Sequence, residues 1–426
     1  MSLPFLPPRF FHWTKVLSKF VSIQILVQAL TLASGVFIVR TLSQQEYAYY
    51  TIANSMLAVM NVLSDSGIST GLSAIGGKVW QDSYRFGQLI KTAMQLRYFL
   101  AAISVTVVTP ILIWMLIRNG TSLSYAVLIT IAVLIGLNFQ LTNGLLIVVP
   151  RLYSQISQIQ YLDVFAAISR LIFMGLGYLS FWNGIVAIAS ASLVSGLQRL
   201  FLGRLASQNI VKIVNSDAIN EEDRKFIIST IKHSLPNSIF FCIQGQLSIF
   251  IISIFGSTTS VAELGALGRI GVIFAIINSI MTTIVLPGFS RCQSLEVLRR
   301  RYFQILGIFG LFGILMIAIV YIFPEQIIWI LGNKYSHLRK ELLMIVTLTV
   351  VNSLINMISS LNLSKAWIEY GWIDIPITLT WQAILLMHLN ISTLQGVIIF
   401  TLFSKIPPLL LNIMLSYRGF ANYKSV

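Results

Sequence analysis

Arg170, Arg269 and Lys405 each stand inside a stretch of sequence that is otherwise almost wholly apolar. A cation held in hydrocarbon costs at least about 2.5 to 3.5 kcal/mol, so a chain that keeps three has a use for them. Binding an anion, or lining a wet path that an anion follows, is the chemistry they offer. Lys405 is the deepest, and Pro407 and Pro408 directly after it predict a kinked helix. Arg269 and Arg170 lie about a turn and a half into their stretches, where snorkelling to the headgroups is the competing reading. Arg40 closes the first stretch, and there an interface anchor is the plainer role. Asp163 and Asp374 fall near the edges of two others, as coupling-ion ligands or as ordinary interfacial carboxylates.

Uncharged polar residues form stripes at helical spacing. Gln24, Gln28, Thr31 and Gly35 make one; Asn54, Asn61 and Asp65 a second; Asn237, Gln244 and Ser248 a third; Asn352 and Asn356 with Ser359 or Ser360 a fourth. One stripe alone is explained by hydrogen bonding between helices. Four stripes spread over both halves of the chain suggest a water-filled cavity. Catalytic chemistry is another matter. No phosphate-binding G-x-x-x-x-G-K-[ST] occurs, and His12, His233, His337 and His388 are scattered without cysteine or carboxylate at metal spacing. The expectation is a protein that is not an enzyme and needs no metal or cofactor.

The elements that must position these groups follow from composition. Of 426 residues 56% are hydrophobic and only 10% charged, against roughly 25% charged in a soluble domain. A water-soluble enzyme and a disordered chain are both excluded. Apolar stretches of about 20 residues mark bilayer crossings, and twelve are found: 17–39, 47–63, 96–117, 123–149, 162–181, 185–205, 235–255, 264–287, 303–323, 342–363, 372–389 and 394–415. The fourth is overlong and has Asn138, Gln140, Thr142 and Asn143 in its middle. The class is an all-α integral membrane protein.

Net charge is +15, and topology explains most of it. With both termini inside, the inner segments carry 21 of the 29 Lys and Arg, among them Arg9, Lys15, Lys19, Arg97, Lys212 and Lys424, while the outer ones carry five: Arg40, Arg118, Lys334, Arg339 and Lys340. No nucleic-acid partner is expected, because no basic helix with interleaved aromatics stands clear of the membrane. The first span reads as an uncleaved signal-anchor. Cys242 and Cys292 sit at different depths, and no disulfide is expected. The longest polar interval splits the chain into a lobe over 1–206, a cytoplasmic linker over 207–234 and a lobe over 235–426. In the linker Asn220 precedes Glu221, Glu222 and Asp223, an N-cap followed by acids suited to a helix start. Phe226, Ile227 and Ile231 give that helix an apolar face, expected to lie along the membrane surface.

The halves resemble each other. Ser43-Gln-Gln-Glu46 after the first span and Ser260-Val-Ala-Glu263 after the seventh both read as capping boxes. Gln28 and Gln244 lie at similar depths, and Gly67 and Gly288 stand at matching ends. Six spans per half is an even number, so the repeats enter the membrane in the same direction, with a substrate route between them.

The run Val39-Arg40-Thr-Leu42-Ser-Gln-Gln-Glu46-Tyr47 with Asp65-Ser-Gly67-Ile68, and Leu235-Pro236-Asn237 with Glu263-Leu-Gly-Ala-Leu-Gly-Arg269, resembles the bacterial polysaccharide flippases of Wzx type in the MOP exporter superfamily. The layout is similar over the whole chain; Ala48 stands where the family often has glycine. The resemblance implies a flippase for oligosaccharides on an undecaprenyl pyrophosphate carrier, serving polysaccharide (O-antigen, lipopolysaccharide) biosynthesis in the inner membrane. Its partners would be that lipid-linked substrate, membrane lipids and other polysaccharide assembly proteins. The family's basic residues in spans one and eight fall on Arg40 and Arg269. Two alternatives remain at this point. A cation-coupled multidrug exporter of the same superfamily would favour acidic and aromatic cavity groups. A membrane polysaccharide polymerase or ligase would be expected to carry a large outer loop, and the longest here, 324–341, is short.

Overall fold

A computed structural model describes residues 8–209, 220–281, 285–292, 294–368 and 371–423, with side chains from Val21 onward except at 209 and 276. Lys212, Lys424 and most of the expected linker therefore lie outside the described residues, as do the side chains of Arg9, His12, Lys15 and Lys19. The described chain is helical, with no strand. The helices are α1 (Pro8–Thr41), α2 (Gln44–Asp65), α3 (Ile68–Val79), α4 (Ser83–Arg118), α5 (Leu123–Leu146), α6 (Val148–Leu152), α7 (Ile156–Ser180), α8 (Gly184–Asn209) and α9 (Glu221–Phe255). They continue with α10 (Thr258–Gly268), α11 (Val272–Ile280), α12 (Leu286–Ser290), α13 (Leu295–Ile322), α14 (Pro324–Leu331), α15 (Arg339–Ser364), α16 (Asp374–His388), α17 (Leu394–Phe403) and α18 (Ile406–Ala421).

Among the described residues each of the twelve apolar stretches falls mainly on helix. Ten are long and apolar enough to cross a membrane by length and composition. The other two coincide with α2 and α16, and each differs for a physical reason. α2 buries Tyr47, Tyr50, Ile52, Met56 and Met60 among protein, so it needs less lipid-facing surface; α16 has only 15 residues. Elsewhere large apolar groups point outward, as Ile308, Leu311 and Ile314 do on α13. That pattern suits hydrocarbon as solvent and not water.

The chain separates into two compact units. One takes Gln45–Ile254 with the chain up to Leu30; the other takes Thr31–Gln44 with the chain from Phe255 onward. In the first, Asn220 caps α9 as expected, its Oδ1 accepting from the N–H groups of Glu222 and Asp223 at 3.0 and 3.1 Å. The helix then runs unbroken through Pro236 to Phe255. Of its apolar face, Ile227 and Ile231 are buried and Phe226 is 50% exposed. Arg85 grips the buried Asp223 with two hydrogen bonds, at 2.5 and 2.8 Å, and Ile227 and Ile231 pack with Ile68, Leu72, Phe86 and Leu89 of α3 and α4. A charge pair at one end and core burial beside it hold the segment against the bundle.

Two features of the internal repeat come out differently in the two units. Ser257, not Ser260, caps α10, accepting from the Ser260 N–H at 3.1 Å, and the carboxylate of Glu263 accepts from His337 at 2.8 Å. The helix starts one turn earlier than the S-x-x-E pattern implies, because Ser257 is free of helical backbone geometry and Ser260 is not. Gly67 takes a left-handed φ of 97° beside Ser234. Gly288, its supposed counterpart, lies inside α12, where a Cβ would meet nothing within 4 Å and the carbonyl accepts from Arg301 at 3.1 Å.

Span four breaks at Ile147 into α5 and α6, and span twelve breaks at Ser404 and Lys405 into α17 and α18. The second break is the kink expected from Pro407 and Pro408, which occupy the first turn of α18, where a missing N–H costs nothing.

Candidate functional site

In the first unit the polar stripe of α2 meets the polar middle of span four. Asn61 donates to Gln140 at 3.0 Å and accepts from Arg97 at 3.3 Å. Asp65 lies 3.4 Å from Arg97 and accepts from Ser69 at 2.5 Å. Arg97 is only 4% exposed, and its Nε and one Nη find no hydrogen-bond acceptor among the described residues. Gly144 makes the fit possible: a Cβ there would come within 2.8 Å of both Nη atoms. Tyr98 bonds Asn138 at 3.1 Å and Thr142 at 3.2 Å, and Asn143 donates to the Ser195 carbonyl at 2.8 Å. The residues that made span four look irregular are thus the partners of α2, α4 and α8.

Arg97 was read from the sequence as a topology charge, because the apolar stretch starts at residue 96. The helix actually begins at Ser83, with Asp82 capping it, so Arg97 stands fourteen residues in. The available signal was the polar cluster in span four, which needed a partner.

The other expected groups of this unit are distributed along α1, α2, α7 and α9. Arg170 of α7 reaches α2, donating to the Tyr50 hydroxyl at 3.2 Å, while its buried Nε has no acceptor among the described residues. No described carboxylate forms an ion pair with it. Asn54, one turn beyond Tyr50, turns its amide back to the Tyr50 carbonyl at 2.8 Å. Asp163 lies within electrostatic reach of Arg151, at one end of α7. Gln24 and Gln28 on α1 and Gln244 on α9 are half-buried.

In the second unit two of the expected cations stand where helices break. Arg269 ends α10, where the backbone tightens into a single 3-10 turn before α11. Its side chain lies on α1 at Gly35, where a Cβ would be 3.1 Å from the arginine Cδ. Lys405 stands between α17 and α18 and interacts electrostatically with Asp374 of α16. Asp374, Thr378 and Gln382 are all buried and repeat at four-residue spacing along α16, and Thr378 donates to Asp374 at 3.1 Å. Asp374, which the sequence suggests is an edge carboxylate, and Lys405, the deepest of the cations by sequence, thus lie within electrostatic reach of one another without an ion pair.

Arg40 is differently engaged. Its guanidinium donates to the carbonyls of Trp329 and of Ile330, the latter at 2.9 Å, and stacks 4.7 Å from the Trp329 ring. Those carbonyls end α14, so the arginine closes a helix C-terminus with charge of the favoured sign. Lys334 returns the contact, donating to the carbonyls of Arg40 and Leu42 at 3.1 and 2.6 Å. Asn352 is half-buried and Asn356 exposed on α15, and neither amide finds a partner among the described residues. Between spans ten and eleven Lys365 donates to the carbonyls of Ser290 and Cys292, and burial lowers its pKa below the ordinary lysine value.

What the side chains offer is cationic and amide groups at membrane depth, held by small residues or broken helices. The fold is similar to that of several solved membrane transporters. A multidrug-resistance MATE family transporter of the MOP superfamily has a TM-score of 0.69 at 15% identity, over 92% of this chain and 94% of its own. The lipid II flippase MurJ has a TM-score of 0.67 at 12% identity, over 94% and 87%. A MATE transporter of Vibrio cholerae has a TM-score of 0.58 at 13% identity, over 94% of both chains. No protein-family model matches the sequence, and no curated protein does.

Proposed function

We propose that the chain is a flippase that carries an oligosaccharide on an undecaprenyl pyrophosphate-type lipid across the inner membrane. It acts by alternating access of a lobe over 1–206 and a lobe over 235–426, with both termini in the cytoplasm. Arg170 carries the reading: a half-buried arginine in a span, whose buried Nε is an unused donor and to which no described carboxylate is paired, suits an anionic ligand. Arg269, laid over Gly35 at a helix break, suits the same ligand, since discontinuous helices put backbone groups at a binding site. Sugar hydroxyls need partners on the way, because each costs free energy when desolvated alone; the amide side chains assigned that role are those of Gln24, Gln28, Asn54, Gln244, Asn352 and Asn356. Asp163 and Asp374 are the carboxylates offered for ion coupling, Asp374 through Lys405. Partners would be the lipid-linked substrate, membrane lipids and polysaccharide assembly proteins.

The likeness to a multidrug transporter favours a second reading, export of drugs with cation coupling. A membrane polymerase or ligase has no structural neighbour among those described here. Cells expressing Arg170→Ala or Arg269→Ala are expected to show several-fold less surface polysaccharide at unchanged membrane abundance. Normal polysaccharide in both variants, with lost resistance to cationic drugs, would replace the flippase by the exporter.

A further inference from the structure

Within the first unit α4 and the first half of α9 enclose a groove of about 390 Å³. Its walls are sorted by polarity. Leu96, Phe99 and Leu100 of α4 face Ile228 of α9, while Gln95, Arg224 and Lys232 supply the polar groups. Phe99 is 65% exposed on a helix apolar enough to span the membrane, so the slot is reached from hydrocarbon. A water-soluble anion gains nothing from such walls, and a neutral lipid gains nothing from two cations.

Both cations line the same groove. Lys232 lies eight residues beyond Arg224, or about 12 Å along a helix axis, and side chains on a helix lean toward its N-terminus. The long lysine stem can follow the apolar wall while its ammonium rises toward Arg224. The acids nearby are occupied or weak competitors. Asp223 is buried and held by both Nη groups of Arg85. Glu221 meets Arg224 at 3.3 Å with both groups exposed, a contact of little strength. Lys232 makes no hydrogen bond or ion pair among the described residues.

We propose that this groove is a binding site for one anionic phospholipid, its phosphate between Arg224 and Lys232 and an acyl chain along Leu96, Phe99 and Leu100. The site is independent of the substrate assigned above. The Arg85 to Asp223 pair pins α9 to α4 at the headgroup end, so an occupied groove joins the two helices along a further two turns.

The test uses the full chain in detergent, examined by native mass spectrometry with added phosphatidylglycerol or phosphatidylcholine of equal chain length. Two juxtamembrane cations each favour an anionic headgroup, so phosphatidylglycerol should be retained up to roughly thirtyfold better, the equivalent of about 2 kcal/mol. The exposed-residue variant R224A/K232A should lose that preference and keep its weak binding of phosphatidylcholine. Leu100→Trp, which fills the slot, should reduce retention of both lipids. Equal retention of the two lipids by the unmodified chain overturns the proposal, as does an undiminished preference in R224A/K232A. Inorganic phosphate at equal concentration should compete poorly; complete displacement of the lipid by it would show a free-anion site and would also overturn it.

Discussion

Arg97 shows how a buried charge is tolerated at the scale of one residue. Its guanidinium is surrounded by Asp65, Asn61 and the bare backbone of Gly144, and two of its donors remain unused among the described residues. Removing the carboxylate leaves the cation with nothing to offset its desolvation. Asp65→Ala should therefore destabilise the protein by about 3 kcal/mol, seen as a lower thermal unfolding midpoint in detergent. Replacing both partners by apolar groups, as Asp65→Leu with Arg97→Leu, should recover much of the loss, since a buried pair contributes little net stability. A double variant as unstable as the sum of the single ones would show that Arg97 is held by something other than Asp65. Arg40 belongs to a different kind: its donors go to carbonyls at the end of α14, so its loss should loosen that helix.

At the scale of elements the fold depends on close approaches as much as on apolar faces. Gly419 of α18 faces the Trp367 ring, and a Cβ there would lie 2.0 Å from it. That ring also packs on Phe420 at 4.9 Å and on Tyr423 at 6.5 Å, so it has little room to retreat. Gly419→Ala should cost about 1 to 3 kcal/mol through overpacking, measured as a fall in the same unfolding midpoint. A second change, Trp367→Leu, should relieve it. If Gly419→Ala melts like the unmodified protein, α18 has freedom that its packing does not suggest. Behind this contact Asn362, Ser416 and Tyr302 form a buried chain of hydrogen bonds, at 2.7 Å in both links, which joins α13, α15 and α18. Such networks fix helix register because a shift would leave every member unsatisfied.

For the whole molecule the decisive property is the distribution of charge. The proposed topology places 21 of the 29 Lys and Arg on the inner side, and an asymmetry of that kind sets orientation in a bilayer. Single-cysteine reporters test it directly once Cys242 and Cys292, both buried thiols, are replaced by serine. Ser207→Cys and Glu325→Cys are both at exposed positions. In intact cells a membrane-impermeant maleimide should label Glu325→Cys and spare Ser207→Cys. Labelling of Ser207→Cys alone would invert the proposed topology.

Hydrophobic runs, proline pairs and capping residues act over a few neighbours, so the sequence by itself determined where the twelve helices lie, the break before Pro407 and the cap at Asn220. The same local logic failed where a second partner intervened. Ser260 looks like a cap until Ser257 takes the role, and the helix after Asn220 looks interfacial until Arg85 binds Asp223. Arg97 looked like a surface charge because hydropathy marks the apolar part of a helix and not its ends. Only tertiary structure set Arg97 beside Asp65, Arg269 on Gly35 and Asp374 against Lys405, since partners from distant spans meet through packing that no short window of sequence encodes.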